Sequence, residues 1–196
     1  MYYKGKNLKL NLENIAILQT GVFAKPVKSG EIAYLQSKHF DENGQLTSVL
    51  YPDLKPNNQT NRHLLKPGDV LFAAKGLKNF STLYESMDIP AVASTSFFVI
   101  RLQENFQSKV LPEYLVWFLN QPASMQFLKG KATGTSLPSI SKTTLEELQI
   151  SVPDLKTQKI VLKIAQLKDQ EKRLKAELEI LIEKKMQQQI INAINK

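Results

Sequence analysis

The chain has 196 residues, a formal net charge of +8 and no cysteine. A disulfide framework and thiolate metal sites are thereby excluded, and nothing in the cysteine count argues for secretion. No apolar run approaches the roughly 18 residues of a membrane span, and the opening Met-Tyr-Tyr-Lys-Gly-Lys lacks the apolar core of a signal peptide, so a soluble cytoplasmic protein is expected.

In chain order, Leu12 to Thr20 reads as a helix or a strand, with the type left open. Gly21 to Gly30 is a polar loop punctuated by Gly and Pro, and Glu31 to Gln36 is a strand. Asp41-Glu-Asn-Gly44 carries the Asn-Gly pair that favours a tight reversal. The polar stretch from Tyr51 to Arg62, with Pro52 and Pro56, reads as a loop. Leu64 to Asp69 is a turn, bent by Pro67 and Gly68, that delivers a strand from Val70 to Lys75. Ala91 to Leu102, rich in Val, Ile, Phe and Thr, predicts another strand. Glu113 to Asn120 suits a buried helix, and Pro122 to Gly130 suits a second. Tyr114, Trp117, Phe118 and Phe127 lie at helical spacing among Leu and Val and are expected in the core. This mixture predicts an α+β domain over residues 1–152.

Residues 153–196 read differently. After Pro153 there is neither Pro nor Gly, and Leu, Ile, Lys, Glu, Gln and Ala dominate. One helix is predicted, a rod of about 60 Å at 1.5 Å per residue. Ile160, Ile164, Leu167, Leu174, Leu178 and Leu181 form an apolar seam at coiled-coil spacing, interrupted at Glu171. Beyond Leu181, Ile182, Met186, Ile190 and Ile194 follow at steps of four, which rotates the stripe around the helix. A helix folded back on its own domain would also hide the seam, but this length favours pairing with a second molecule.

Charge divides evenly. Sixteen basic and twelve acidic residues precede Pro153, and ten and six follow, giving +4 in each part. Such an excess suits a polyanion, though it is also common on proteins that bind none.

Catalytic constellations are hard to find. His39 and His63 are not spaced as metal ligands on one helix and are expected as solvated or hydrogen-bonded loop residues. Gly130-Lys131-Ala-Thr133 resembles the end of a phosphate loop, but Met125 stands where the first glycine is needed. The runs Pro52-Asp53-Leu54-Lys55 and Pro153-Asp154-Leu155-Lys156 carry residue types of a metal-dependent nuclease, each with a single acid. Asp154 is better read as a first-turn residue complementing the helix dipole. No enzyme activity, cofactor or metal is expected.

The order of segments resembles the specificity subunit of type I restriction-modification systems, in a half-length form with one target recognition domain and one conserved helical region. The similarity runs through Ile32 to Gln36, Leu65-Lys-Pro-Gly-Asp-Val-Leu71, Lys75-Gly-Leu-Lys78, Pro112 to Leu119, Gly130 to Ser141, and Leu145 to Ile160 with Pro153 and Gln158 at the entrance to the rod. It implies a DNA-reading domain at 1–152 and a long helix at 153–196 for dimerisation and spacing. It also implies a non-catalytic protein that reads double-stranded DNA and scaffolds methyltransferase (M) and, where present, restriction (R) subunits. A homodimer through the C-terminal helix would rebuild the family's two-domain arrangement and read a bipartite site; parallel and antiparallel pairing both remain open.

Within such a reader the contact candidates lie in loops: Gln36, Lys38 and His39; Arg62; Lys75, Gly76 and Lys78; and Lys129, Lys131, Thr133, Thr135 and Ser136. Lys and Arg would hold phosphates, and the amide and hydroxyls would reach base edges. Gly76 would let the backbone come close to a groove, which makes Lys75 to Lys78 the favoured contact loop. The alternative reading is an interaction adaptor that binds no DNA and uses the coiled coil to hold other proteins, and a nuclease comes third.

Overall fold

A computed structural model describes residues 8–76, 78–85, 88–134 and 138–195. Of the expected contact residues, Thr135 and Ser136 lie outside this set. The chain divides into two compact units between Gln158 and Lys159.

The first unit holds mixed sheets and helices. Its centre is a four-stranded antiparallel sheet in the order β2 (Ala16–Thr20), β8 (Phe97–Leu102), β5 (Val70–Ala73) and β6 (Ser81–Leu83). The run Val70-Leu-Phe-Ala73 is buried throughout because both faces of the sheet are covered. Val70 and Phe72 enter one core with Leu12, Ile15, Ile100, Leu115, Leu119 and Leu128. Leu71 and Ala73 enter another with Leu35, Phe80, Phe97 and Val99. The first core is closed by α1 (Leu12–Ile15), α4 (Pro112–Leu119), α5 (Pro122–Gly130) and α6 (Lys142–Glu146). Both α4 and α5 begin with proline at the first helical position, where its missing N–H costs nothing and its fixed φ favours the turn. A short helix, α3 (Glu104–Gln107), leads from β8 toward α4.

The second core lies against a three-stranded sheet in the order β4 (Pro52–Leu54), β3 (Ile32–Leu35) and β7 (Ala91–Ala93), in which β3 and β7 are parallel. Its far face packs Val22, Ile32, Tyr34, Leu54 and Val92. A third, two-stranded sheet pairs β1 (Leu8–Asn11) with β9 (Gln149–Val152), so the first and last strands of the unit are neighbours.

Several expectations need correction. The open assignment at residues 12–20 is both types in succession, α1 and then β2. Residues 51–62 are not one loop. β4 pairs along the edge of β3, where Pro52 is tolerated, and α2 (Asn58–Arg62) is started by Asn57, whose side chain accepts from the N–H groups of Gln59 and Thr60. Residues 91–102 form two strands in different sheets. The chain turns between them at Ser94 to Ser96, where Phe97 N donates to Ser94 O at 2.9 Å and the two serine hydroxyls meet at 2.6 Å. Phe127 is exposed, with Lys131 Nζ 4.6 Å above its ring, while Tyr114 is buried as expected.

One ion pair ties the turn before β5 to β8. Asp69 is 1% exposed and accepts from Arg101 Nε and Nη2 at 2.7 and 2.6 Å, and from Lys66 N at 2.8 Å. The hydrogen bonds to the Asp69 carboxylate raise the Arg101 pKa above its ordinary value.

The long helix α7 spans Leu155–Ile194. Asp154 stands just before its first turn and caps it, accepting from Thr157 N at 2.7 Å, and that bond holds the carboxyl below its usual range. Gln158 is fully buried, and its amide accepts from Leu111 N and donates to the carbonyls of Lys109 and Pro153. A buried amide with these partners fixes the start of the helix more tightly than apolar packing alone. In the second unit the six seam residues are all exposed, with Ile164 at 61% and Leu174 at 57%. Among the described residues no helix is long and apolar enough to cross a membrane.

Candidate functional site

The loops that follow β2, β3, β5 and β7 converge on one open cleft. β3 ends at Leu35, and Gln36 then begins a 3-10 turn over Ser37–His39. This turn is closed on itself, since Gln36 N donates to His39 Nδ1 at 3.3 Å and His39 N donates to Gln36 O at 3.0 Å. Gln36 and Lys38 thereby leave from a fixed turn and line the same cleft as Lys75 and Gly76. Ser94, Thr95 and Ser96, in the turn between β7 and β8, supply hydroxyls to the same space, which measures about 550 Å³.

Gly76 has φ of +100° with nothing within 4 Å of where a Cβ would stand. The backbone conformation demands glycine, and the space in front of it is open to a ligand. Gly76 N donates to Pro138 O at 2.9 Å, and Ser139 bridges both Lys75 and Thr133. Thr133 is therefore brought beside the Lys75 loop by the Pro138-Ser139 segment.

Other expected contacts are placed differently. Lys78 pairs with Glu42 at 3.1 Å, and Lys131 pairs with Glu147 at 2.9 Å. Each cation is partly neutralised before any polyanion arrives, although exposed pairs of this kind exchange partners at small cost. Lys129 is exposed at the end of α5, and Arg62 ends α2; neither lines the cleft. His39 sits behind Lys38 with its pKa lowered, chiefly by burial and then by the charge of Lys38. It is a neutral hydrogen-bonding group at pH 7 rather than a phosphate-binding cation.

A pH effect follows from this. The unfolded histidine takes up its proton near pH 6.5 and the folded one only at lower pH, so its contribution to stability is complete above 6.5 and lost as pH falls toward the folded value. His39→Gln, which keeps an acceptor for Gln36 N, should lose less melting temperature than the parent between pH 7.5 and 5.5. Equal losses in the two thermal scans would remove His39 from the account.

Two residue groups escaped the sequence reading. The hydroxyls of Ser94 to Ser96 were hidden inside an apparent strand, although consecutive Ser-Thr-Ser is itself a turn signal. Phe23, an apolar residue within a polar loop, lines the cleft while remaining 71% exposed. Asp53, weighed above as a metal ligand, instead accepts from Tyr34 N at 3.0 Å and so holds β4 to β3. Among the described residues no three His, Asp or Glu side chains stand together as a metal cluster.

The family described as type I restriction modification DNA specificity domain matches residues 24–184. Three solved structures are similar. The S subunit of a type I restriction-modification system from M. genitalium has 14% identity and a TM-score of 0.57 over 87% of this chain and 41% of its own. The HsdS subunit from Thermoanaerobacter tengcongensis has 20% identity and a TM-score of 0.62 over 86% and 43%. A structure titled for complex assembly and conformational transition of the type I R-M system has 17% identity and a TM-score of 0.64 over 91% and 44%. At these identities the likeness is one of fold. The chain spans about two fifths of the length of each. No curated protein matches it.

Proposed function

The chain belongs to the type I restriction modification DNA specificity family, and on that premise we propose that it reads a DNA sequence through the cleft between the β3 and β5 loops. A second copy, paired through α7, supplies the other reader of a bipartite site. The pair holds methyltransferase subunits, and restriction subunits where present, on the DNA. The protein performs no chemistry itself, needs no cofactor and acts in the cytoplasm. Residues 1–152 are the reading domain and residues 153–196 the pairing and spacing region.

The observation that carries this reading is the meeting of Gln36, Lys38, Lys75 and Gly76 in one open cleft. An amide matches the paired donor and acceptor of an adenine edge, and two lysines satisfy phosphates on either side. Gly76 lets a main chain approach closely where a Cβ would intrude. Arg62, Lys129, Lys131 and Thr133 complete the proposed contacts from outside the cleft, with Lys78 and Lys131 released from Glu42 and Glu147, and Thr135 and Ser136 are proposed as contacts with them. His39 contributes as a neutral partner. For the pair, support comes from the exposed seam of Ile160, Ile164, Leu167, Leu174, Leu178 and Leu181. Fully burying one such side chain gains about 1.5–3 kcal/mol, and six on each helix offset the cost of association.

Selection of bound duplexes from a random pool tests the reading, followed by a salt titration on the enriched sequence. A split motif and a steep fall of affinity with salt are expected. Lys38→Ala combined with Lys75→Ala should lower the slope of log affinity against log salt by about 4, because each lost phosphate contact removes roughly 0.9 and two are lost from each of the two copies. No enrichment, with normal capture of methyltransferase subunits, would instead favour the adaptor. The additional exposed stripe of Ile182, Met186, Ile190 and Ile194 keeps that second reading in play.

A further inference from the structure

Phe23 is an exposed aromatic on a backbone that cannot move freely. Gly21 N donates to Phe97 O at 3.1 Å and Val22 N donates to Ala93 O at 2.8 Å, so the chain entering Phe23 is fastened to the end of β8 and to β7. The approach is so close that a Cβ on Gly21 would stand 2.1 Å from Ser94 O. On either side of Phe23, the hydroxyl of Tyr34 forms a clamp. It donates to Val22 O at 2.9 Å and accepts from Ala24 N at 3.3 Å. Tyr34 is itself buried, and burial raises its pKa, so the hydroxyl keeps the proton that this clamp requires.

Between these two fastened residues the Phe23 side chain is 71% exposed and lines the same cleft as Gln36, Lys38 and Lys75. Exposing an aromatic ring forgoes the stabilisation of burying it, and fixing its main chain adds nothing to the core. The arrangement makes sense for a ring presented in advance to a ligand, since a pre-ordered group loses little freedom on binding.

We propose that Phe23 is a specificity-determining residue that reads the 5-methyl group of a thymine. This rests on the DNA-reading function proposed above. The polar wall of the cleft addresses base edges, and on a base edge in the major groove the thymine methyl is the apolar group available. Gln36 and Phe23 then read different chemistry from neighbouring walls of one cleft. Tyr34, only 4% exposed, is a positioning residue that acts by holding Val22 and Ala24 through its hydroxyl.

The test compares motifs enriched from a random duplex pool by the parent and by Phe23→Ala. The side chain is exposed, so the variant should keep its melting temperature. One thymine position in each half-site should become degenerate, with affinity for the parent's motif reduced about tenfold and the salt slope unchanged. Uracil in place of that thymine should weaken the parent by the same factor and leave Phe23→Ala unaffected. Tyr34→Phe, which keeps the ring and removes the clamp, should relax the same position. If the parent selects a motif and Phe23→Ala selects it equally well, or if uracil is tolerated by the parent, the role of Phe23 is overturned while DNA reading stands. If the parent selects nothing, both fall together.

Discussion

Leu174→Glu is expected to turn a dimer into a monomer and to weaken binding to a duplex with two half-sites by a factor of about 10² to 10⁴, the range lost when a second linked contact is removed. Leu174 lies midway along the seam and is 57% exposed in the single chain. Glutamate is a good helix former, so the isolated helix should keep its structure and its circular dichroism. In the paired state the same carboxylate would be buried without a partner, at a cost that several apolar contacts do not offset. Sedimentation at several concentrations reads the mass directly. A duplex carrying one half-site separates the two effects, since a monomeric reader should bind it as well as the parent does. An unchanged mass would remove the pairing through α7, and with it the reason to expect a bipartite site.

The second large effect concerns Asp69. Asp69→Ala should lower the stability of the chain by about 3 kcal/mol, since it strands a buried guanidinium edge and frees Lys66 N at once. Arg101 is a third exposed, which keeps the figure at the lower end for a broken buried pair. For a chain of this size the loss corresponds to a fall in melting temperature of about 6–12 °C. Replacing both partners, Asp69→Ala with Arg101→Leu, should recover part of that loss, because neither charge is then left alone. A single variant within 1 kcal/mol of the parent in urea denaturation would show that solvent already satisfies Arg101.

The same site shows why parts of this fold were readable and others were not. Val70 to Ala73 reads as a strand because both faces are covered and every residue is apolar. The helices at 112–130 announce themselves through Pro112 and Pro122 and the apolar residues between them. By contrast, β1 and β9 are four-residue strands about 140 positions apart, and each exists only because the other pairs with it. Local pattern carries no such information. The turn at Ser94 to Ser96 was concealed because Thr and its apolar neighbours have high strand propensity on both sides. Missing that turn hid one wall of the cleft.

Among the contact candidates, those fixed by local chemistry were legible. The strand ending at Leu35 places Gln36 and Lys38, and the Pro-Gly-Asp turn leads through β5 to Lys75 and Gly76. Their convergence depends on the parallel pairing of β3 with β7 and on the crossing from β7 into β8, which no single segment specifies. Phe23 lies in a segment whose composition is that of a polar loop, and the bonds that fasten the main chain on either side of it come from Tyr34, eleven residues away. The pairing of Lys78 with Glu42 and of Lys131 with Glu147 was equally invisible, since the partners are distant in sequence.

The adjacency of β1 and β9 has an evolutionary corollary. A module that is entered and left through two touching strands can be copied head to tail within one gene, or spliced into a longer polypeptide, without any rearrangement of its interior. The seam lies beyond β9, so a copy carries it only when α7 is copied as well.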